Sequence, residues 1–199
     1  MAQPNRIIVG ISGASGALYA QRLVRCLLAA GTQVHLVVSP LGQRLLHDEL
    51  GYESLDLEQL AGDEDVNGIT LHQYRDVGAS IASGSFQTRG MVICPCSSNS
   101  LSAVATGASN NLMHRAAQVV LKERRRLILL HREMPLSLVD IRNMEAATQA
   151  GAIIAPANPG FYLMPQTLDD IVDFVVARLL DLLEVKHTLG QRWKEETPS

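Results

Sequence analysis

Hydroxyls and glycines follow apolar runs at several places in this chain, and each is a place where an anion can be held. The first is Ser12-Gly-Ala-Ser-Gly16, just after Ile7, Ile8 and Val9. Counted from Gly10 its glycines run G-x-x-G-x-x-G with no lysine, so it is neither the dinucleotide fingerprint nor a P-loop. Glycine lets a ligand approach the backbone, N–H groups at a helix entrance attract anions, and Ser12 and Ser15 add hydroxyl donors. The competing reading is a tight turn with Ser12 or Ser15 as a helix N-cap. Ser39-Pro40 is a second entrance, equally compatible with a cap alone. A third, Ser97, Ser98, Asn99 and Ser100 in CPCSSNSLSAVATG, follows another apolar run. Two such entrances on neighbouring strands suit a ligand with both a phosphate and a polyol or polar ring. ASGSF at 82–86 is a poor helix or strand former and reads as a further binding loop.

Cationic side chains gather between positions 114 and 132: Arg115, Lys122, Arg124, Arg125, Arg126 and Arg132. Arg115 and Lys122 lie seven apart, hence on one helical face. The three consecutive arginines are expected to end that helix, where positive charge suits the dipole. Arg132 follows the apolar run 127–130 and stands beside Glu133. A charge there is costly unless it is used, so it is either a site residue or one half of a structural pair. In PANPGFYLMPQT, Tyr162 is either a hydroxyl donor to an anion or a packed aromatic. Arg178, among apolar neighbours on the final helix, either snorkels or reaches an anion. The basic cluster is short and has no interleaved aromatics, which makes nucleic acid a poor partner.

These residues need a scaffold, and the apolar runs supply one. Strands are expected at 6–12, 33–39, 70–74, 91–95, 127–130 and 152–156, short and nearly all apolar, as strands covered on both faces should be. Helical patterns lie between them. Ala20, Leu23, Val24, Leu27 and Leu28 recur at helical spacing, with Gly31 at the C-cap position. After Thr167, the residues Leu168, Ile171, Val172, Val175, Leu179, Leu182 and Leu183 share one face. Phe174, Val176 and Leu180 fall off that stripe, which means either an oligomer contact or extra burial within the chain. The alternation predicts an α/β fold with a doubly wound parallel sheet in three layers, flavodoxin- or Rossmann-like. Positions 48–65 hold eight acids and no base, expected to be a solvated helical segment and loop.

At 199 residues the chain reads as one domain over 1–199, with its core at about 6–185 and a tail at 186–199. A chain of that length buries about 70% of its unfolded surface. The 47% hydrophobic content argues against disorder, and the net charge of −3 gives no global attraction to nucleic acid or acidic membranes. No apolar run reaches membrane-spanning length, and MAQPNR lacks the apolar stretch of a signal peptide, so a cytoplasmic location is expected. Cys26, Cys94 and Cys96 are too few for a disulfide framework. Cys94-Pro-Cys96 reads as the end of a buried strand rather than as a metal site, so no metal is expected.

In order along the chain, GISGASGA, SP, ASGSF, CPCSSNSLSAVATG, NNLMHRAAQVVLKERR, REMPLS, NM and PGFY resemble the UbiX-type flavin prenyltransferases, over residues 6–193. Older descriptions call such proteins aromatic-acid or polyprenyl-hydroxybenzoate decarboxylases. The resemblance implies transfer of a dimethylallyl group from dimethylallyl phosphate to reduced FMN, with no metal. It implies a flavodoxin-like fold, commonly dodecameric, with sites at subunit junctions, and a UbiD-type decarboxylase as recipient of the product.

Carried over by position, Gly13, Ala14 and Ser15 resemble the FMN-phosphate loop. Ser39, Ser97, Ser98, Asn99, Ser100, Arg115 and Arg132 resemble further flavin contacts. Lys122, Arg132, Glu133, Tyr162 and Arg178 resemble the prenyl-phosphate site, some of them supplied by a neighbouring subunit. Ser15 and Glu49 resemble the residues that assist proton movement; Asp48 and Glu53 rival Glu49 for that place. Trp193 matches an aromatic that closes over the site. His131 and Arg126 stand where proline is common, Asn110 replaces a frequent aspartate and Ser100 a frequent threonine. Two rival readings remain. One is an FMN-dependent cysteine decarboxylase of the same fold, which relies on a histidine; the other is a non-catalytic flavin carrier.

Overall fold

Short runs of aliphatic residues form six parallel strands in this computed structural model, which describes residues 4–190. They are β1 (Arg6–Ile11), β2 (Gln33–Val38), β3 (Ile69–His72), β4 (Gly90–Cys96), β5 (Arg126–His131) and β6 (Ile153–Pro156). Their order in space is β3-β2-β1-β4-β5-β6. Winding reverses between β1 and β4, so the loops leaving those two strands diverge and open a crevice at their carboxyl ends. The helices among the described residues are α1 (Ala17–Ala29), α2 (Pro40–Leu50), α3 (Leu57–Ala61), α4 (Ser98–Thr106), α5 (Leu112–Lys122), α6 (Leu138–Gln149) and α7 (Leu168–Leu182).

Strand alternation divides the core into two layers. Ile7, Val9, Ile11 and Leu36 pack with Leu23, Val24 and Leu27 of α1 and Val175, Val176 and Leu179 of α7. Ile8, Met91, Ile93 and Leu129 face the other way, against Met113, Ala116, Ala117 and Val120 of α5. Each fully buried aliphatic side chain contributes about 1.5–3 kcal/mol relative to exposure. Cys94 belongs to the first layer and Cys96 to the second, across a register shift in β4. Burial raises the pKa of both thiols.

The fold decides between some of the alternatives left open by the sequence, bears out others and corrects a few. Val176 and Leu180 are fully buried within the chain, so the off-stripe residues of α7 belong largely to the core, whereas Leu168 is 60% exposed. Gly31, left-handed at φ 67°, follows the C-cap Ala30 and donates its N–H to Leu28 O. β3 ends at His72, before a turn in which Asp76 N–H reaches Gln73 O. The three arginines lie beyond the last turn of α5 rather than within it. Arg124 turns left-handed at φ 56°, Arg125 donates to the carbonyls of Gly84 and Phe86, and Arg126 opens β5 and pairs with Glu184 at 2.6 Å. The acidic stretch covers the end of α2 and all of α3 and stops at Asp65, which caps a 3₁₀ turn at Val66–Gly68. No helix among the described residues is long and apolar enough to cross a membrane.

Candidate functional site

The loop after β1 is tied to the loop after β4 by one hydroxyl. Ser12, 2% exposed, donates its Oγ–H to Pro95 O at 2.8 Å and accepts Ser97 N–H at 2.8 Å. Ser12 is therefore a stitch across the crevice, neither a helix cap nor a free donor. Gly13 is required by close approach, since a Cβ there would lie 2.4 Å from Leu41 Cβ in the first turn of α2. At the entrance of α1 the N-cap residue is Gly16, with φ 129°, and it offers no side chain. Neither Ser12 nor Ser15 caps the helix. Glu49 of α2 does: its Oε2 accepts Gly16 N–H at 3.0 Å and Ala17 N–H at 2.8 Å. Of the rivals for that place, Asp48 is turned to Arg44 and His47, and Glu53 is exposed beyond the end of α2.

Ser39 caps α2, accepting Gly42 N–H at 2.9 Å. Ser97 caps α4, where Ser98 is half-buried and Asn99 is exposed. Ser100 lies deeper than its neighbours, 3% exposed, with its hydroxyl 3.2 Å from His114 Nε2. Asn111 holds the other ring nitrogen at 2.9 Å, and burial lowers the His114 pKa. Ser100 thus supports the α4 entrance from within rather than lining it. Arg115 is exposed in the first turns of α5, next to that network.

Arg132 sits just past β5, its N–H on Cys96 O at 3.3 Å. It is not paired with Glu133, whose carboxylate accepts from Ser98 Oγ at 3.3 Å and from Met134 N–H at 3.1 Å. Arg132 Nε is buried with no hydrogen-bond partner, and so is Nε2 of the neighbouring His131. His131 is 3% exposed and its Nδ1 lies 3.0 Å from Cys96 O, so it fills the strand end as an internal residue. Asp140, which the sequence reading missed, caps α6 in a reciprocal box with Ser137. Hydrogen bonds from the Ser137 hydroxyl and backbone N–H hold its pKa down to about 2. The pattern Ser137-Leu-Val-Asp140 carries that signal in the sequence.

The prenyl-phosphate candidates fall into separate groups on one chain. Tyr162 and Arg178 share a cavity of about 860 Å³ between the loop after β6, α7 and positions 187–190. Tyr162 meets Phe174 edge-on at 5.7 Å between centroids. Arg132 and Glu133 stay at the carboxyl rim. Lys122 ends α5, just before β5 begins, and so lies at the amino rim of the sheet. A strand of six residues separates the two rims by about 20 Å. The ASGSF loop is on that amino rim too: a Cβ on Gly84 would lie 2.9 Å from Lys122 Nζ. Lys122 and Glu49 therefore do not meet within one chain. The order of elements already carried this signal, because a helix preceding a parallel strand ends at the strand's amino side. Trp193 lies outside the described residues.

The crevice fits a flavin mononucleotide. The N–H groups of Gly13, Ala14 and Ser15 meet no acceptor among the described residues, which leaves a glycine-loop nest for a phosphate. Arg132 Nε, buried and unpartnered, is a donor in need of an acceptor at the same rim.

The family profile described as Flavoprotein matches residues 1–180. The chain is 46% identical to the flavin prenyltransferase UbiX of Halalkalibacterium halodurans, over 94% of this chain and 93% of that one. Among solved structures it superposes on AnUbiX (PadA1) in complex with FMN and dimethylallyl pyrophosphate, with a TM-score of 0.89 and 35% identity over 98% of this chain and 100% of that one. It also superposes on a dodecameric FMN-dependent UbiX-like decarboxylase from Escherichia coli O157:H7, with a TM-score of 0.87 and 39% identity over 95% of this chain and 99% of that one.

Proposed function

The chain belongs to the UbiX-type flavin prenyltransferases, and from that premise we propose that it joins a dimethylallyl group to reduced FMN. What supports this reading is a pair of features that would suit two different phosphates. A glycine-loop nest backed by Glu49 lies at the crevice, and cationic groups at Lys122 and Arg178 lie away from it. A flavin carrier has no use for the second. A cysteine decarboxylase needs an available histidine, whereas His114 and His131 at this rim are both buried.

Gly13, Ala14 and Ser15 hold the FMN phosphate, and Ser39, Ser97, Ser98, Asn99, Arg115 and Arg132 surround the rest, with Ser100 behind them. When bound, the reduced flavin supplies the nucleophile and an aromatic face. Lys122, Arg178 and the Tyr162 hydroxyl stabilise the departing phosphate as the ester C–O bond breaks, and Glu133 orients its neighbours. Glu49 and Ser15 carry the proton that bond formation releases. The donor is dimethylallyl phosphate; the diphosphate bound in the AnUbiX complex is the alternative.

Because the two rims are about 20 Å apart, Lys122 reaches a flavin only in a neighbouring copy. An oligomer is also favoured by the exposed apolar surface of α6 and nearby loops, with Met134 at 87%, Val139 at 65% and Phe161 at 66% exposure. We assign a dodecamer, as in the Escherichia coli structure. The product goes to a UbiD-type decarboxylase, and the protein works in the cytoplasm. The test is activation of a cofactor-free UbiD-type decarboxylase by the flavin this protein releases. Activation supports the reading. No activation, with a decarboxylase that an established relative does activate, would overturn the assigned recipient.

A further inference from the structure

We propose that Asp181 and His187 position Arg178 in the cavity it shares with Tyr162. The inference rests on the assignment of Arg178 to prenyl-phosphate binding. Arg178 Nη1 donates to Asp181 Oδ2 at 2.9 Å, one turn on along α7. Alone, such a pair is a surface contact of little consequence, because the Arg178 side chain is 65% exposed. What lies behind the carboxylate changes that. The His187 side chain is 6% exposed and is fixed from both sides. Its Nδ1 accepts Leu189 N–H at 3.2 Å, which places a ring proton on Nε2, and Nε2 donates to Asp181 Oδ1 at 3.1 Å.

One carboxylate therefore bridges a buried ring and an exposed guanidinium. Anchored from behind, it does not follow the arginine through its rotamers. The chain after α7 reverses through the left-handed Glu184, with φ 56°, and returns until a Cβ on Gly190 would touch Ala177 at 3.8 Å. That return places His187 under Asp181 and closes one side of the cavity. The guanidinium is a planar fork. Holding one edge against Asp181 leaves the remaining N–H groups for an incoming phosphate and settles their direction beforehand. Arg178, Asp181 and His187 then act as one unit, with His187 the fixed end.

The test is calorimetric binding of dimethylallyl phosphate to the FMN-loaded protein, with KM and kcat measured under anaerobic turnover. D181A is expected to weaken ester binding and raise its KM about tenfold, the effect of losing one charge-assisted contact, with flavin affinity unchanged. H187A is expected to shift the same constant in the same direction, and H187Q, which keeps an N–H donor, to restore most of it. In an R178A background D181A is expected to add nothing, because its effect passes through the arginine. Ester affinity in D181A within about twofold of wild type, or additive losses in the double variant, would overturn the proposal. A wild-type protein that binds the ester and leaves the flavin unmodified would instead contradict the transferase assignment, with the positioning effect still readable by calorimetry.

Discussion

Glu49 Oε2 accepts the backbone N–H of Ala17 at 2.8 Å, so α2 caps the helix that follows the glycine loop. The same oxygen takes Gly16 N–H at 3.0 Å. A carboxylate placed there satisfies two donors of the helix entrance and complements the positive end of the dipole. It also stands beside the three N–H groups left for a phosphate. One side chain thus serves the fold and stands within reach of the chemistry, and the two roles separate by substitution.

Glu49→Gln keeps an acceptor for the cap and loses the titratable group. Turnover is expected to fall by about 100-fold or more, with FMN affinity and Tm near wild type. Glu49→Ala removes the cap as well and is expected to lower stability by about 1–2 kcal/mol. Single-turnover kinetics with thermal melts checks both. Wild-type turnover in Glu49→Gln would remove Glu49 from the mechanism.

Ser12→Ala breaks the stitch between the two loops and leaves Ser97 N–H and Pro95 O without that partner. A loss of about 1–3 kcal/mol is expected, which at this size lowers Tm by about 2–4 °C per kcal/mol. FMN affinity should fall with it, because both entrances move. An unchanged melting curve would show that the hydroxyl is dispensable.

The separation of Lys122 from Glu49 predicts complementation. Glu49→Gln and Lys122→Ala are each expected to be nearly inactive alone. Mixed oligomers from equal co-expression should recover about a quarter of the sites, since each site then draws the two residues from different chains. No recovery, in assemblies shown to contain both variants, would place both residues in one chain's site.

His35 on β2 and His72 on β3 face each other at 2.9 Å, with Phe86 edge-on at 4.8 Å to His35. Burial, then His72 and then Arg6, lower the His35 pKa to about 4. A depressed histidine pKa means that the unfolded chain takes up the proton first. The stabilisation is therefore complete above about pH 6.5 and is lost as pH falls towards 4. The loss over that range should be smaller in His35→Phe, which removes the group. Denaturant unfolding at several pH values reads it; equal slopes for the two proteins would contradict the assignment.

Much of the scaffold was legible because each strand is a short apolar run bounded by turn residues, as with Ile7, Ile8 and Val9 before Gly10. The serine entrances at Ser39 and Ser97 were legible for a similar reason: an N-cap is a local signal. The Glu49 cap was not, because it joins two elements more than thirty residues apart and has no periodicity. Nor was the inward turn of Ser100, which depends on His114 lying across from it on α5. The arginines at 124–126 misled because charge pattern alone does not reveal a left-handed residue that ends a helix early. Asp181 and His187 straddle a helix end, where helical spacing stops predicting neighbours.

The most direct measurement is the mass of the flavin after anaerobic incubation of the protein with reduced FMN and dimethylallyl phosphate, repeated with the diphosphate. The account predicts a flavin heavier by one five-carbon unit, formed with one donor or both and absent when protein is omitted. Unmodified flavin with either donor, from protein that binds FMN tightly, would contradict the assignment as a prenyltransferase.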